Sequence, residues 1–170
     1  MTAPAYAGTG CANADLQPVD ATQTAAAERA TRCLVNRERR RRHRRSLRFN
    51  ENLHQSATWQ AQDMVAFAYF DHQREGGPGF AGRITRFGYA RDANGYSLGE
   101  NLAWSSAGGA SAREIVSMWM HSAGHRANIL RRQFREQALA AIWVNGDEIG
   151  GDYAGGGPLV IYVNQFGTRY

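Results

Sequence analysis

The sequence predicts an α+β protein in which a small antiparallel sheet carries helices on its faces. Three observations predict it. Two N-terminal stretches repeat apolar residues every three or four positions, the period of a helix with one buried face. The stretch "YSLGENLAW", residues 96 to 104, reads as a strand. Two further β-rich runs, "ALAAIWVNG" and "GPLVIYVNQFG", flank the glycine-laden "DEIGGDYAGGG" and read as a hairpin with a long loop. The order helix, helix, strand, helix, strand, strand gives a sheet covered by helices.

Taken in order, "DATQTAAAERATRCLVNRERRRR" is rich in Ala and Arg, both good helix formers, and Asp20 stands where an N-cap belongs. Ala27, Ala30, Leu34 and Glu38 recur at helical spacing, so only a thin apolar stripe faces the core. A second helix starts after Asn50, again a cap residue. Leu53, Ala57, Ala61, Met64, Val65 and Ala68 step along it and predict one buried face as far as about Phe70. "DHQREGGPGFAGRITRFGYA" is a loop by its Gly and Pro content, with a helical turn expected around Ala81 to Phe87. After "YSLGENLAW" and the connector "SSAGGA", Ser111 and Glu114 form an S-x-x-E capping box ahead of Ile115, Met118 and Trp119, which announces a third helix. "AGHRANIL" begins a fresh short helix after Gly124.

A chain of 170 residues, 43% of them apolar, is expected to form one domain over residues 20–170, with residues 1–19 as an N-terminal tail. No run approaches the ~18 apolar residues of a membrane-spanning helix. The opening "MTAPAYAGTG" is small and polar, has no secretory h-region and reads as a mature N-terminus. All 20 basic residues are Arg, and ten of them fall between Arg29 and Arg48, including "RERRRRHRR". The net charge of +5 therefore sits on one element, either as a solvated helix end or as an attachment to anionic lipid headgroups, cell-wall polymers or nucleic acid. Aromatic residues are not interleaved with these arginines, so base stacking is missing and a nucleic-acid partner is not expected. Cys11 and Cys33 permit one disulfide between tail and first helix, which would imply an oxidising compartment; the alternative is two reduced thiols.

"YSLGENLAW" poses the functional question. Glycine weakens a strand, and a buried Glu and Asn must each find partners, so Gly99-Glu100-Asn101 needs a reason. Together with "YFDH" at 69 to 72, "WMHSAGHRANIL" at 119 to 130 and "YVNQFG" at 162 to 167, the "GENLAW" motif resembles the CAP superfamily, which joins cysteine-rich secretory proteins, antigen 5 and the plant pathogenesis-related proteins. The likeness is closest to its secreted bacterial branch and runs from about Ala25 to Gly167.

The resemblance implies an α-β-α sandwich with a shallow cleft where a His from the second helix, the GEN glutamate and the GH histidine converge. Motif for motif, these fall on His72, Glu100 and His125, with Ser122 nearby as a further cleft residue. Glu100 would then point into a wet polar cleft while Asn101 bonds nearby backbone. Two imidazoles and a carboxylate suit a divalent metal such as Zn²⁺, held by His72 and His125, with Glu100 as general base toward a polarised water. The positive end of the short helix that follows would lower the pKa of His125 and favour its neutral, ligating form. Only two His in an open cleft predicts weak binding. Glu100 has a second reading, as a structural acid paired with Arg126 or with one of the histidines. The second glutamate that the family often carries before the GH histidine is replaced here by Trp119, His121 and Ser122.

Ser122 lies three residues from His125, but no G-x-S-x-G elbow exists, and neither cysteine resembles an activated nucleophile. Trp59, Trp104, Trp119 and Trp143 read as packing residues, and His43 and His54 as members of polar helical stretches. The expectation is a secreted, extracellular, non-enzymatic module that binds a lipid, a cell-envelope component or a protein partner. The alternative is a metal-dependent, peptidase-like hydrolase run by His72, Glu100 and His125.

Overall fold

The computed structural model describes residues 10–170, so the reading of the first nine residues lies outside the described residues. Asp20 caps a 3₁₀ turn at Ala21–Gln23 by accepting the Thr22 N–H, and helix α1 continues from Thr24 to Arg41. A two-residue strand β1, Arg48–Phe49, precedes helix α2, Glu51–Ala66, whose cap Asn50 accepts the Leu53 N–H. Helix α3 spans Phe80–Arg86, strand β2 Tyr96–Ser106, helix α4 Ala112–His121 and helix α5 Ala123–Leu130. Ser111 and Glu114 close the expected capping box on α4. Strand β3, Glu136–Asn145, and strand β4, Pro158–Arg169, form the long-looped hairpin, with a single helical turn α6 at Gly146–Ile149 in the loop.

The sheet runs in the order β1-β3-β4-β2. β4 lies between β3 and β2, antiparallel to both, and helices cover both faces of the sheet, which is why Leu159 to Gly167 is buried without a break rather than alternating. Along each strand, alternate side chains go to opposite layers. Leu139, Ala141, Val160, Tyr162 and Phe166 meet Ala30, Leu34, Ile115 and Trp119 of α1 and α4. Leu102, Ala140, Ile161 and Val163 meet Ala57, Ala61 and Met64 of α2. The result is an α-β-α sandwich.

Three expectations need correction. The sheet is not wholly antiparallel, because β1 pairs with β3 in parallel through Arg48 and Phe49; two residues between an Arg run and a cap carry no strand signal. Helix α2 stops at Ala66, short of Phe70. Ala68 takes a left-handed φ of 52°, and Gly151 of the hairpin loop packs so close that a Cβ there would lie 2.1 Å from the Ala68 carbonyl oxygen. His43, with φ of 55°, lies beyond α1 rather than on it.

A further correction concerns the Arg run, which is not uniformly solvated. Arg39 is fully buried and donates to the carbonyls of Arg45 at 2.7 Å, Ile129 at 2.6 Å, Arg131 at 3.1 Å and Phe134 at 3.4 Å. It therefore gathers the last carbonyl groups of α5, the negative end of that helix, and the turn that follows. Burial, aided by the charges of Arg135 and Arg44, brings its pKa down to about 10, which leaves it cationic at neutral pH.

The chain ahead of α1 is held against the domain. Cys11 and Cys33 form a disulfide, Ala14 is buried and accepts the Arg113 N–H at 2.9 Å, and Arg113 pairs with Asp15. With the cysteines 22 positions apart in sequence, the closed loop stabilises the fold by roughly 3 kcal/mol in the chain-entropy model.

Replacing Arg39 with Met is expected to lower unfolding free energy by about 3–5 kcal/mol, the cost of breaking a buried charged network. Arg41→Ala on the exposed side of the same helix is expected to stay within about 0.5 kcal/mol. Urea denaturation followed by circular dichroism separates the two outcomes.

Candidate functional site

β2 is an edge strand, and the site is built on it at Gly99-Glu100-Asn101. Consecutive residues of a strand face opposite layers, so Glu100 and Asn101 serve different halves of the molecule. Gly99 has no room for a side chain, since a Cβ would lie 2.9 Å from the Phe134 ring and 3.0 Å from Asn128 Oδ1. The glycine lets α5 and the turn after it press against the strand.

Asn101 ties down α5. Its Nδ2 donates to the His125 carbonyl at 3.0 Å, and its Oδ1 accepts from Asn128 Nδ2 at 2.9 Å. Asn128 Nδ2 also reaches the Glu100 carbonyl at 3.2 Å. This is the backbone bond expected of Asn101, with Asn128 as an additional partner.

Glu100 faces the other layer, and its side chain is only 1% exposed. Arg83 Nη2 of α3 donates to Oε2 at 2.6 Å, Gln165 Nε2 of β4 donates to the same oxygen at 2.8 Å, and His72 Nδ1 lies 2.9 Å from Oε1. Gln165 stands directly opposite Glu100 in the β2–β4 register, which aims both side chains the same way. Arg83, whose side chain is 2% exposed, also donates from Nη1 to the His72 carbonyl at 3.3 Å. Glu100 is thus a buried, paired acid rather than one projecting into open water. Its partners are Arg83 and His72, not Arg126, which instead reaches the Met120 carbonyl.

His72 lies in the loop after α2, not on the helix. Its ring is half exposed, and its pKa is raised, chiefly by the hydrogen bond to Glu100, against the opposing effect of burial. His125 is shifted the other way. Burial lowers its pKa, the charge of nearby His72 adds to the effect, and its buried Nδ1 has no hydrogen-bond partner among the described residues. The cleft at His72 has a volume of about 310 Å³ and is lined by His72, Phe80, Leu98, Gly99, Glu100 and Asn128; His125 is not part of that lining. Ser122 is not part of that lining; it joins α4 to α5, and its N–H reaches the Trp119 carbonyl. His121 is exposed and bonds the Ser117 carbonyl one turn back on α4.

A zinc site that takes Glu100 as a ligand beside His72 and His125 does not fit, because three of roughly four lone-pair positions on the Glu100 carboxylate are already engaged. Among the described residues, no group of three or more His, Cys, Asp or Glu is arranged to hold a metal ion. The same commitments leave Glu100 poorly placed as a general base. What the cleft offers is a half-exposed imidazole donor, an apolar wall from Phe80 and Leu98, and a rigid backbone edge, a combination suited to binding an acceptor group.

Arg83, Gln165 and Asn128 are the site residues that the sequence analysis did not single out. Gln165 and Asn128 lie inside quoted motifs, but the strand register that sets Gln165 opposite Glu100 is not given by a period-2 pattern. Arg83 stands in a loop-like stretch with no local signal.

Removing one partner of the buried pair, by Arg83→Met or Glu100→Gln, is expected to cost about 3–5 kcal/mol, while the double variant costs less than the sum of the two. A double-mutant cycle by urea denaturation measures that coupling. In an NMR pH titration, His72 is expected to titrate above the usual histidine value of 6.5 and His125 below it. The linkage follows these signs: the stability from His72 is fully present below pH ~6.5 and lost as pH rises through its folded pKa. For His125 it is present above ~6.5 and lost as pH falls through its folded pKa. Accordingly, the stability gap between the native chain and His72→Asn should shrink from mildly acid to mildly alkaline pH.

Comparison with known proteins agrees with this geometry. The model of the CAP, or cysteine-rich secretory protein, family matches residues 32–146. The protein YkwD of Bacillus subtilis (strain 168), described as uncharacterized, is 36% identical over 101 residues, which cover 59% of this chain and 37% of that protein. Among solved structures, an extracellular protein containing an SCP domain from Bacillus anthracis superposes with a TM-score of 0.65 at 20% identity, covering 90% of this chain and 45% of that one. An outer surface protein of Borrelia burgdorferi superposes with a TM-score of 0.62 at 16% identity, covering 82% of this chain and 90% of its own. The chain therefore spans less than half the length of YkwD and of the Bacillus anthracis protein, and the structural likenesses establish the fold alone. With the GEN strand, the GHR-x-N-I-L helix and the sandwich all in place, the chain belongs to the CAP family of cysteine-rich secretory proteins, in its bacterial type.

Proposed function

We propose that this CAP domain is a secreted, non-catalytic binding module that attaches to anionic lipid at the cell envelope. The observation that carries the reading is a groove of about 370 Å³ between α1 and α4. Leu34, Val116 and Met120 form its apolar floor, and Arg37, Arg42, Arg113 and Arg126 stand around it with a single acid, Glu38. An apolar slot rimmed by guanidinium groups suits an anionic headgroup with its first methylene groups.

The Arg37 side chain makes no hydrogen bond among the described residues, and its buried Nε–H is unpartnered, so it has donor capacity left for a ligand. Arg42 pairs with Glu38 and Arg113 with Asp15, which holds those two side chains at the rim. Export is supported by the Cys11–Cys33 disulfide, since such bonds persist in oxidising compartments, and by the extracellular description of the Bacillus anthracis relative. No helix among the described residues is long and apolar enough to cross a membrane, so attachment would be peripheral. The hydrolase alternative gains no support, because the acid it needs is buried and paired.

Vesicles of phosphatidylglycerol and phosphatidylcholine are expected to co-sediment the protein, and pure phosphatidylcholine vesicles are not. Each basic side chain near an anionic surface contributes about 1 kcal/mol, so Arg37→Glu with Arg126→Glu should lower partitioning at least ~10-fold. Raising the salt should weaken binding in parallel. Equal retention on neutral vesicles, or none on either, would overturn the proposal.

A further inference from the structure

A second pocket, on the opposite layer from the arginine groove, is not used by anything described so far. It has a volume of about 330 Å³ and is lined by Trp59 of α2, Pro78, and Arg83, Arg86 and Phe87 of α3 and its C-cap. Its walls are fixed in place. Asn52, two turns before Trp59 on α2, donates from Nδ2 to the Phe87 carbonyl at 2.6 Å, which clamps the end of α3 to α2. Arg83 is locked from behind by Glu100, and its guanidinium carbon lies 5.9 Å from the centre of the Trp59 ring.

The polar groups of this pocket are all donors. Arg83 is fully buried, yet its Nε–H has no partner among the described residues. Arg86 is exposed, and its side chain makes neither a hydrogen bond nor an ion pair among the described residues. No acid stands in the lining; Arg83 has its carboxylate in Glu100 behind the pocket, whereas Arg86 has none among the described residues. Trp59 is half-buried and belongs to none of the hydrophobic clusters, contrary to its expected role in packing. An indole, a proline and a phenyl ring in one small pocket are flat apolar surfaces, while the Arg86 guanidinium calls for oxygen acceptors bearing negative charge and the Arg83 Nε–H for one further acceptor.

From this we infer that the pocket binds a carboxylated sugar ring, with the apolar face of the pyranose against Trp59 and its carboxylate on Arg86. A guanidinium brings five N–H donors in a planar fork, more than one carboxylate occupies. Ring and hydroxyl oxygens on the same ligand use the remainder, which favours an acidic saccharide over a bare aromatic acid. The mouth is open to solvent through exposed Pro78 and Arg86, so one residue of an acidic polysaccharide can enter as well as a free sugar. This site goes beyond the lipid reading and does not depend on it.

The test uses ¹⁵N-labelled full chain and sodium glucuronate, glucose and benzoate as probes, with the Trp59 indole N–H resonance identified from Trp59→Phe. Glucuronate is expected to move that resonance with a dissociation constant on the order of 1 mM, and Arg86→Glu to weaken the effect at least ~10-fold. Glucose, which lacks the carboxylate, and benzoate, which lacks the hydroxyls, should each bind at least ~10-fold more weakly. Absence of any glucuronate effect, an effect that survives Arg86→Glu, or equal binding of glucose or benzoate overturns the assignment. Arg37→Glu with Arg126→Glu, which disables the lipid groove, should leave glucuronate binding unchanged; a loss there would also count against a separate site.

Discussion

The buried pair of Arg83 and Glu100 is the constraint on which the functional half of the molecule depends. Removing two charges from water costs several kcal/mol per ion, and the mutual attraction offsets this only when geometry is good and other hydrogen bonds complete the shell. Here Gln165 and His72 complete the acid, while the His72 carbonyl and the Trp59 ring receive the base. Four segments far apart in sequence thereby meet at one point: the loop after α2, helix α3, edge strand β2 and central strand β4. An apolar replacement could satisfy packing equally well, but it would not fix the position of the His72 ring or of α3.

The two partners of that pair line different recesses. Glu100 lines the cleft with His72, Phe80 and Leu98, and Arg83 lines the pocket with Trp59 and Phe87. The Nη groups of Arg83 are committed to Glu100 and the His72 carbonyl, while its Nε–H has no partner among the described residues. The polar cluster of Gln60, Asp63 and Tyr69 strengthens the same region. Gln60 donates to the Asp71 carbonyl at 2.8 Å, and Tyr69 donates to Asp63, with burial raising the phenol pKa to about 12. The loop bearing His72 is thus anchored at its start by side chains of α2, consistent with a half-exposed residue whose ring is nonetheless held still.

Much of the fold was legible because its signals are local. Asn50 and the Ser111–Glu114 box are caps, which act within three residues, and the hairpin is announced by two β-rich runs around a glycine-rich loop. The parts that escaped depend on partners far along the chain. Arg83 and Glu100 are 17 residues apart and Gln165 a further 65 away, so neither periodicity nor propensity could connect them. Arg39 was hidden for a different reason. An Arg within a run of arginines is read as solvated because that residue type is rarely buried, and only the carbonyl ends of α5 explain the exception. Residue types in the GEN motif did signal a special site, but not that Glu100 would be sealed in it.

The arginine run, read as one charge block, divides in the folded chain into different jobs. Arg39 turns inward to bind the end of α5, Arg41 and Arg42 reach Glu38, Arg40 reaches Ser46, and Arg37 and Arg42 line the groove beside α4. Helical geometry explains the division, since successive residues are rotated by about 100° and a run longer than one turn must populate every face. The inward position is stabilised by carbonyl dipoles without a carboxylate, and it brings α5 against α1. Because Asn101 and Asn128 hold that same helix to the edge strand, the anchoring of α5 at both ends couples the basic groove to the cleft through one short helix. A ligand that displaced α5 from either side would have to break one of these networks, so the geometry favours rigid docking at the two surfaces over a moving gate.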